Sequence, residues 1–214
     1  MDIPWDQLTP ASLPGTPALL QGSMGIVLRG TWHAPRRAPR SVAVKVLKGG
    51  FLFGSASVAS ALEALQSEAD AMVAASDGGR NEFVMPLLGL ARGPTPRQWL
   101  EALGAAGALA CELQGGAGGG GGGSGGGGGQ LFALVMPWEE GGSLRDLLHD
   151  PRRAWAAGTG DRLLLCAQIA SGLSGLHCCS RGALVHGDIK TENVLLSHLP
   201  GASSAPPRPR VSVS

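Results

Sequence analysis

The chain has 214 residues, a formal net charge of +1 and 43% hydrophobic residues, which allows one or two domains with an ordinary core and gives no signal for a nucleic-acid partner. No apolar run approaches the roughly 18 residues of a spanning helix, and no apolar core follows a basic start, so the reading is soluble and cytoplasmic without a membrane span. Thirty-five glycines beside four phenylalanines and no tyrosine indicate compositional bias more than a functional class.

The lead-in IPWDQL, Ile3 to Leu8, precedes a glycine hairpin, LLQGSMGIVLRGTW. Gly22 and Gly25 lack the Cβ that would keep a tight turn from laying its amides over phosphates, and Val27 follows. Read alone, this is an ordinary β-hairpin. Arg36, Arg37 and Arg40 then form a small basic cluster without an extended basic face or interleaved aromatics, which argues against nucleic acid. In SVAVKVL, strand alternation puts Val42, Val44 and Val46 on one face and Ala43, Lys45 and Leu47 on the other. A lysine beside small Ala43 is costly on a covered face unless it meets an anion, and otherwise snorkels.

Val58, Leu62, Leu65, Ala69 and Met72 form one helical stripe of about five turns, with Ser55 or Ser57 at its start and Gly78 and Gly79 at its end. Glu68 borders that stripe, while Glu63 points away. FVMPLLGL, Phe83 to Leu90, reads as an edge strand because Pro86 cannot donate to a ladder. Pro96 to Leu113 suggests a short helix inside an insertion whose later part, residues 115 to 129, is glycine except for Ala117 and Ser124, and such a tract cannot repay its ordering entropy.

LFALVMPW, Leu131 to Trp138, is the next strand, and Ser143 with Asp146 opens a helix as a capping-box variant. Leu165, Ile169, Leu173 and Leu176 line a helix that ends near Gly182 and delivers His186, a packing and anchoring residue. The proline-bearing stretch from Pro200 to Pro209, PxxP pattern included, reads as a solvated loop, and RVSVS, Arg210 to Ser214, as a strand. Cys111, Cys166, Cys178 and Cys179 show no paired CxxC spacing and read as reduced thiols.

HGDIKTENVLL, His186 to Leu196, spaces an acid, a base and an amide as phosphoryl transfer requires. The Asp188 carboxylate can orient and deprotonate a hydroxyl, Lys190 can neutralise a moving phosphoryl group, and Asn193 can hold Mg²⁺. With the glycine hairpin, strand lysine and helix glutamate upstream in order, this stretch resembles the catalytic loop of protein kinases. IPWDQL, RGTW and GGSLRDLL look like the tyrosine-kinase-like group, and Lys190 favours serine and threonine acceptors.

The resemblance implies an α+β, bilobal protein-kinase-like fold, with a five-stranded antiparallel small lobe carrying one helix and an incomplete helical large lobe. Residues 1–214 would be a partial kinase domain. Its small lobe would cover 12–138, with a disordered Gly-rich insertion at 91–130, and the start of the large lobe would cover 139–214. ATP and Mg²⁺ are the implied cofactors and a Ser/Thr protein the substrate, while the oligomeric state stays open. Lys45 and Glu68 would position phosphates, Asp188 and Lys190 would carry the transfer, and Asn193 would bind the metal. Gly22, Gly25, Val27, Ala43, Pro137 through its carbonyl, Glu139 through its amide, and Leu195 would complete the nucleotide site, with Met136 as gatekeeper.

Leu20 stands where the family has its first glycine, and Gly187 replaces the usual arginine, so control by a phosphorylated activation segment is not expected. RVSVS resembles the strand before Asp-Phe-Gly, and the resemblance therefore implies a chain truncated before the main metal aspartate and inactive in this form. The alternatives are a non-catalytic, pseudokinase-like nucleotide-binding or scaffold module, or an unstable fragment.

Overall fold

The computed structural model describes residues 1–11, 19–21, 25–47, 55–77, 80–94, 96–105, 130–149, 158–179, 182–198 and 209–211. The chain divides into a first unit of Met1–Ser67 with Leu88–Met136, and a second of Glu68–Leu87 with Pro137–Ser214.

In the first unit, alternating valines build the sheet. β1 (Leu8–Pro10), β2 (Leu19–Gln21), β3 (Gly25–Trp32), β4 (Arg40–Leu47), β5 (Gly89–Pro94) and β6 (Gln130–Pro137) run in spatial order β1-β3-β4-β6-β5, with β2 also on β3. β1 pairs with Gly30–Trp32 and β2 with Ile26–Leu28, both antiparallel. The expected five strands are β2 to β6, and the lead-in adds β1 as a sixth among the described residues. Val42, Val44 and Val46 are buried at 0%, 0% and 1% exposure, and each fully buried aliphatic side chain contributes about 1.5–3 kcal/mol relative to exposure.

The valine face is closed by the lead-in and by a helix, α2 (Arg97–Ala105). Trp99 is fully buried, tilts 60° to Trp5 with centroids 5.5 Å apart, and donates its indole N–H to the Leu8 carbonyl at 3.2 Å. Gln98 Nε2 donates to the same carbonyl at 3.1 Å. A Cβ on Gly30 would lie 2.9 Å from both the Thr9 carbonyl oxygen and Trp99 Cη2, so this position must be glycine for the helix to pack.

The long helix, α1 (Ser55–Ala75), leads from the first unit into the second. Leu65, Ala69 and Met72 are buried along it, as the stripe predicts. Its expected glycine stop, Gly78 and Gly79, lies outside the described residues. In the second unit, Ala75 joins Val84 and Leu176 in one apolar cluster. A second cluster unites Leu144, Leu147, Leu165, Val194 and Leu196 from α3 (Leu144–His149), α4 (Thr159–His177) and β7 (Val194–Leu196). β7 pairs antiparallel with β8 (Pro209–Val211).

Three expectations are corrected. Phe83–Leu90 is not one strand: β5 begins at Gly89, and the Phe83 carbonyl and Met85 N–H are instead bonded to Val211 at 2.8 and 2.9 Å. Pro86 offers no N–H to extend the ladder upstream, while β5 does keep the edge position. Ala91–Pro94 belong to β5 and Arg97–Ala105 to α2, so the head of the supposed insertion is ordered by pairing with β6 and by the burial of Trp99 and Leu103. The remaining tract, 106–129, lies outside the described residues. Finally, α4 ends at His177, and Gly182 lies in a later bend at φ 111°.

Candidate functional site

The loop after α4 is built from the backbone outward. The Leu184 N–H returns to the Leu176 carbonyl at 3.0 Å, which turns the chain back over the end of the helix. His186 is buried, and its Nδ1 accepts the Asp188 backbone N–H at 3.3 Å. A neutral ring in that arrangement carries its proton on Nε2, and the residue acts as an anchor. Between them Gly187 takes φ 76°, a left-handed conformation that suits glycine and strains any residue with a Cβ.

Asp188, Lys190 and Asn193 come together around one carboxylate oxygen. Lys190 Nζ donates to Asp188 Oδ2 at 2.6 Å, and Asn193 Nδ2 donates to the same oxygen at 3.0 Å and to the Asp188 carbonyl at 2.8 Å. The Lys190 hydrogen bond, helped by the Asn193 amide and offset in part by desolvation, holds the Asp188 carboxyl below its ordinary range. Asp188 Oδ1 and Asn193 Oδ1 are left without hydrogen-bond partners among the described residues. The first is a proton-accepting atom, and the second is the hard oxygen type that Mg²⁺ prefers. No group of three His, Cys, Asp or Glu side chains able to hold a metal occurs among the described residues.

The support beneath this loop comes from α3. Ser143 Oγ donates to Asp146 Oδ2 at 2.7 Å and accepts the Asp146 N–H at 3.1 Å, while the Ser143 N–H returns to the same carboxylate at 3.0 Å. This is the capping box expected from the spacing. The Gly141 N–H donates to the Leu196 carbonyl and the Leu196 N–H to the Gly142 carbonyl, both at 2.9 Å, so the start of α3 grips the end of the loop. Leu195 bridges to Ser143 across the same junction.

Residues 127–206 match the family model described as protein tyrosine and serine/threonine kinase. The chain resembles a protein kinase domain. Two proteins of Arabidopsis thaliana are also similar to it. One, named a probable receptor-like protein kinase, is 39% identical over 67 residues, or 29% of this chain and 8% of that protein. The other, named a probable inactive receptor kinase, is 38% identical over 66 residues, or 30% of this chain and 10% of that protein. The kinase-like chain thus aligns with a tenth or less of the length of these curated relatives.

In the first unit of this kinase-like chain, Lys45 lies on β4 directly opposite Val27, and Ala43 precedes it by two residues on the same face. Lys45 is 9% exposed and Ala43 7%, on the side of the sheet opposite the core valines. Gly25 opens β3 opposite Leu47, whereas Gly22 lies outside the described residues. Glu68 is half-buried on α1 and Glu63 is exposed.

Pro137 ends β6, and Glu139 follows it in the second unit. Sequence reasoning used only the Glu139 amide and missed its side chain. The Glu139 carboxylate is 7% exposed and meets Arg210 Nε of β8 at 3.3 Å. Burial pushes its pKa above the ordinary range, against the opposing pull of Arg210 and His198. The second missed pair is Arg145 with Glu192, whose charges meet at 2.8 Å across 47 positions of sequence. Neither pair has a local sequence signal. Among the described residues no helix is long and apolar enough to cross a membrane.

Proposed function

We propose that this chain is the ATP-dependent part of a serine/threonine protein kinase, taking ATP with Mg²⁺ and a protein hydroxyl as acceptor. The observation that supports this best is the Asp188 carboxylate, ionised and oriented by Lys190 and Asn193 through Oδ2 with Oδ1 turned to no other partner among the described residues. On this reading Oδ1 accepts the hydrogen bond of the substrate hydroxyl. The hydroxyl oxygen bonds to the γ-phosphorus as the bond to the β–γ bridging oxygen breaks. The proton passes to Asp188 and the electron pair leaves with ADP.

A carboxylate held below its ordinary range is a weak base, so its main work is orientation, with the proton moving late. Lys190 neutralises charge on the moving group. Lys45, with Glu68 as its proposed partner, holds the α and β phosphates, while Val27, Ala43, Gly22, Gly25 and Leu195 and the backbone of Pro137 and Glu139 receive the nucleotide. Bound Mg²⁺ would supply charge neutralisation on the phosphates, and Asn193 Oδ1 is the ligand this loop offers it. Lys190 supports serine and threonine over tyrosine acceptors. A cytoplasmic setting fits the free thiols of Cys166, Cys178 and Cys179.

A second reading, nucleotide binding without transfer, is favoured by the likeness to a relative named a probable inactive receptor kinase. The two separate in one experiment on the full chain: fluorescent ATP binding with and without Mg²⁺, beside ³²P transfer to serine, threonine and tyrosine peptides. The kinase reading expects binding that Lys45→Met removes. It also expects transfer to Ser/Thr peptides that Asp188→Asn lowers by about 10²–10⁴-fold with binding intact. Binding without transfer supports the second reading, and no binding overturns both.

A further inference from the structure

The β3–β4 hairpin carries a charge arrangement that phosphoryl transfer does not use. Arg36, Arg37 and Arg40 are all exposed, and among the described residues none of them meets a carboxylate at ion-pair distance. Arg40 is fixed in place, its guanidinium lying 4.6 Å from the centroid of the Trp32 ring. Trp32 is itself held, because its indole N–H donates to Gln7 Oε1 at 3.2 Å. Arg37 lies close enough that its charge, after desolvation, lowers the Arg40 pKa. Like charges have therefore been gathered where nothing in the described chain neutralises them.

The turn itself is strained in a telling way. The Arg37 N–H closes a four-residue turn onto the Ala34 carbonyl at 3.2 Å, with Pro35 second and Arg36 third at φ 60°. Proline second and a positive φ third is the pattern of a type II turn, whose third position favours glycine. Arg36 occupies that position at a steric cost which glycine would remove, and strain of this kind points to a side chain that is needed.

We propose that this turn is a docking site for a phosphorylated segment of a partner protein, with Arg36, Arg37 and Arg40 receiving one phosphoserine or phosphothreonine. A phosphate monoester brings nearly two negative charges and three acceptor oxygens, which match several guanidinium forks, whereas one carboxylate would leave most of the positive charge uncompensated. A stacked arginine presents its fork already oriented. Nucleic acid and anionic membrane fit less well, since both need a longer basic face than three residues on a chain of net charge +1.

The test uses the full chain and fluorescence anisotropy with a short labelled phosphoserine peptide, its serine and aspartate counterparts, a single-stranded oligonucleotide, and inorganic phosphate as competitor. The expected result is saturable binding of the phosphopeptide, about tenfold weaker for the aspartate peptide, and lost in an Arg37→Ala/Arg40→Ala double variant. Arg36→Gly should weaken binding severalfold while melting no lower than the parent, which separates docking from folding. Phosphopeptide binding that the variants leave unchanged, an absence of phosphopeptide binding, or equally tight oligonucleotide binding would overturn the proposal.

Discussion

Arg145 Nη1 stands 2.8 Å from Glu192 Oε1, joining α3 to the short 3₁₀ turn that carries Asn193. Thr191 Oγ1 donates to the other Glu192 oxygen at 3.1 Å, so the carboxylate is held from two sides. The backbone and side-chain hydrogen bonds to Glu192, with the Arg145 charge, lower its pKa. Both partners are more than a third exposed, so the pair adds little to global stability and acts by fixing the turn.

Arg145→Ala should therefore leave the melting temperature nearly unchanged while loosening the loop locally. The Asn193 N–H, bonded to the Lys190 carbonyl at 3.0 Å, reports on this. Its hydrogen exchange should accelerate by about tenfold in Arg145→Ala, with Arg145→Lys in between. Identical exchange in all three proteins would show that the turn is set by its backbone alone.

Trp99→Ala should cost about 3–5 kcal/mol in urea unfolding, because it removes a fully buried indole, its contact with Trp5 and its bond to the Leu8 carbonyl. The loss should exceed that of any exposed α2 substitution, such as Glu101→Ala. A cost below about 1 kcal/mol would mean that α2 does not belong to the folded core.

Gly187→Ala and Gly187→Arg should destabilise the chain equally, by about 1–2 kcal/mol. A Cβ at Gly187 would meet nothing within 4 Å, so the penalty comes from φ 76° and not from side-chain size. If arginine proves clearly worse than alanine in denaturant titration, crowding and not backbone strain governs the position.

Glu139 predicts a pH dependence with a definite sign. Its folded pKa is raised, so its favourable contribution is complete below the unfolded carboxylate pKa and is lost as pH rises through the folded value. Glu139→Gln removes that loss. Its stability relative to the parent should improve as pH rises from about 4 to 7 in paired melting curves. A difference that shrinks over the same range would show that the Arg210 attraction outweighs burial.

Periodic features were legible in the sequence because they are local. Alternation put Lys45 opposite the core valines, the three-and-four spacing found the buried face of α1, and the Ser143–Asp146 cap followed from adjacent residues. Asp188, Lys190 and Asn193 were legible for the same reason, since five residues suffice to close their hydrogen bonds. What escaped depended on distant partners. Phe83 and Met85 looked like a strand of the main sheet because nothing nearby reveals that Val211 takes their hydrogen bonds. Pro96 to Leu113 suggested a short helix but not the Gly30 notch that receives Trp99. Nothing near Arg145 or Glu139 in the sequence points to Glu192 or Arg210 as their partners.

The bond from Asn81 Nδ2 to the Gly172 carbonyl spans 91 positions, and Val211 closes on Phe83 later still. Translation at about 5–20 residues per second separates Asn81 from its partner by roughly 5–18 s. The segment from Glu68 to Leu87 therefore emerges from the ribosome long before its anchors exist. During that interval its apolar residues, Met72, Val84 and Met85 among them, are without the later half of their unit, so the burial of this stretch waits on the last residues to be made.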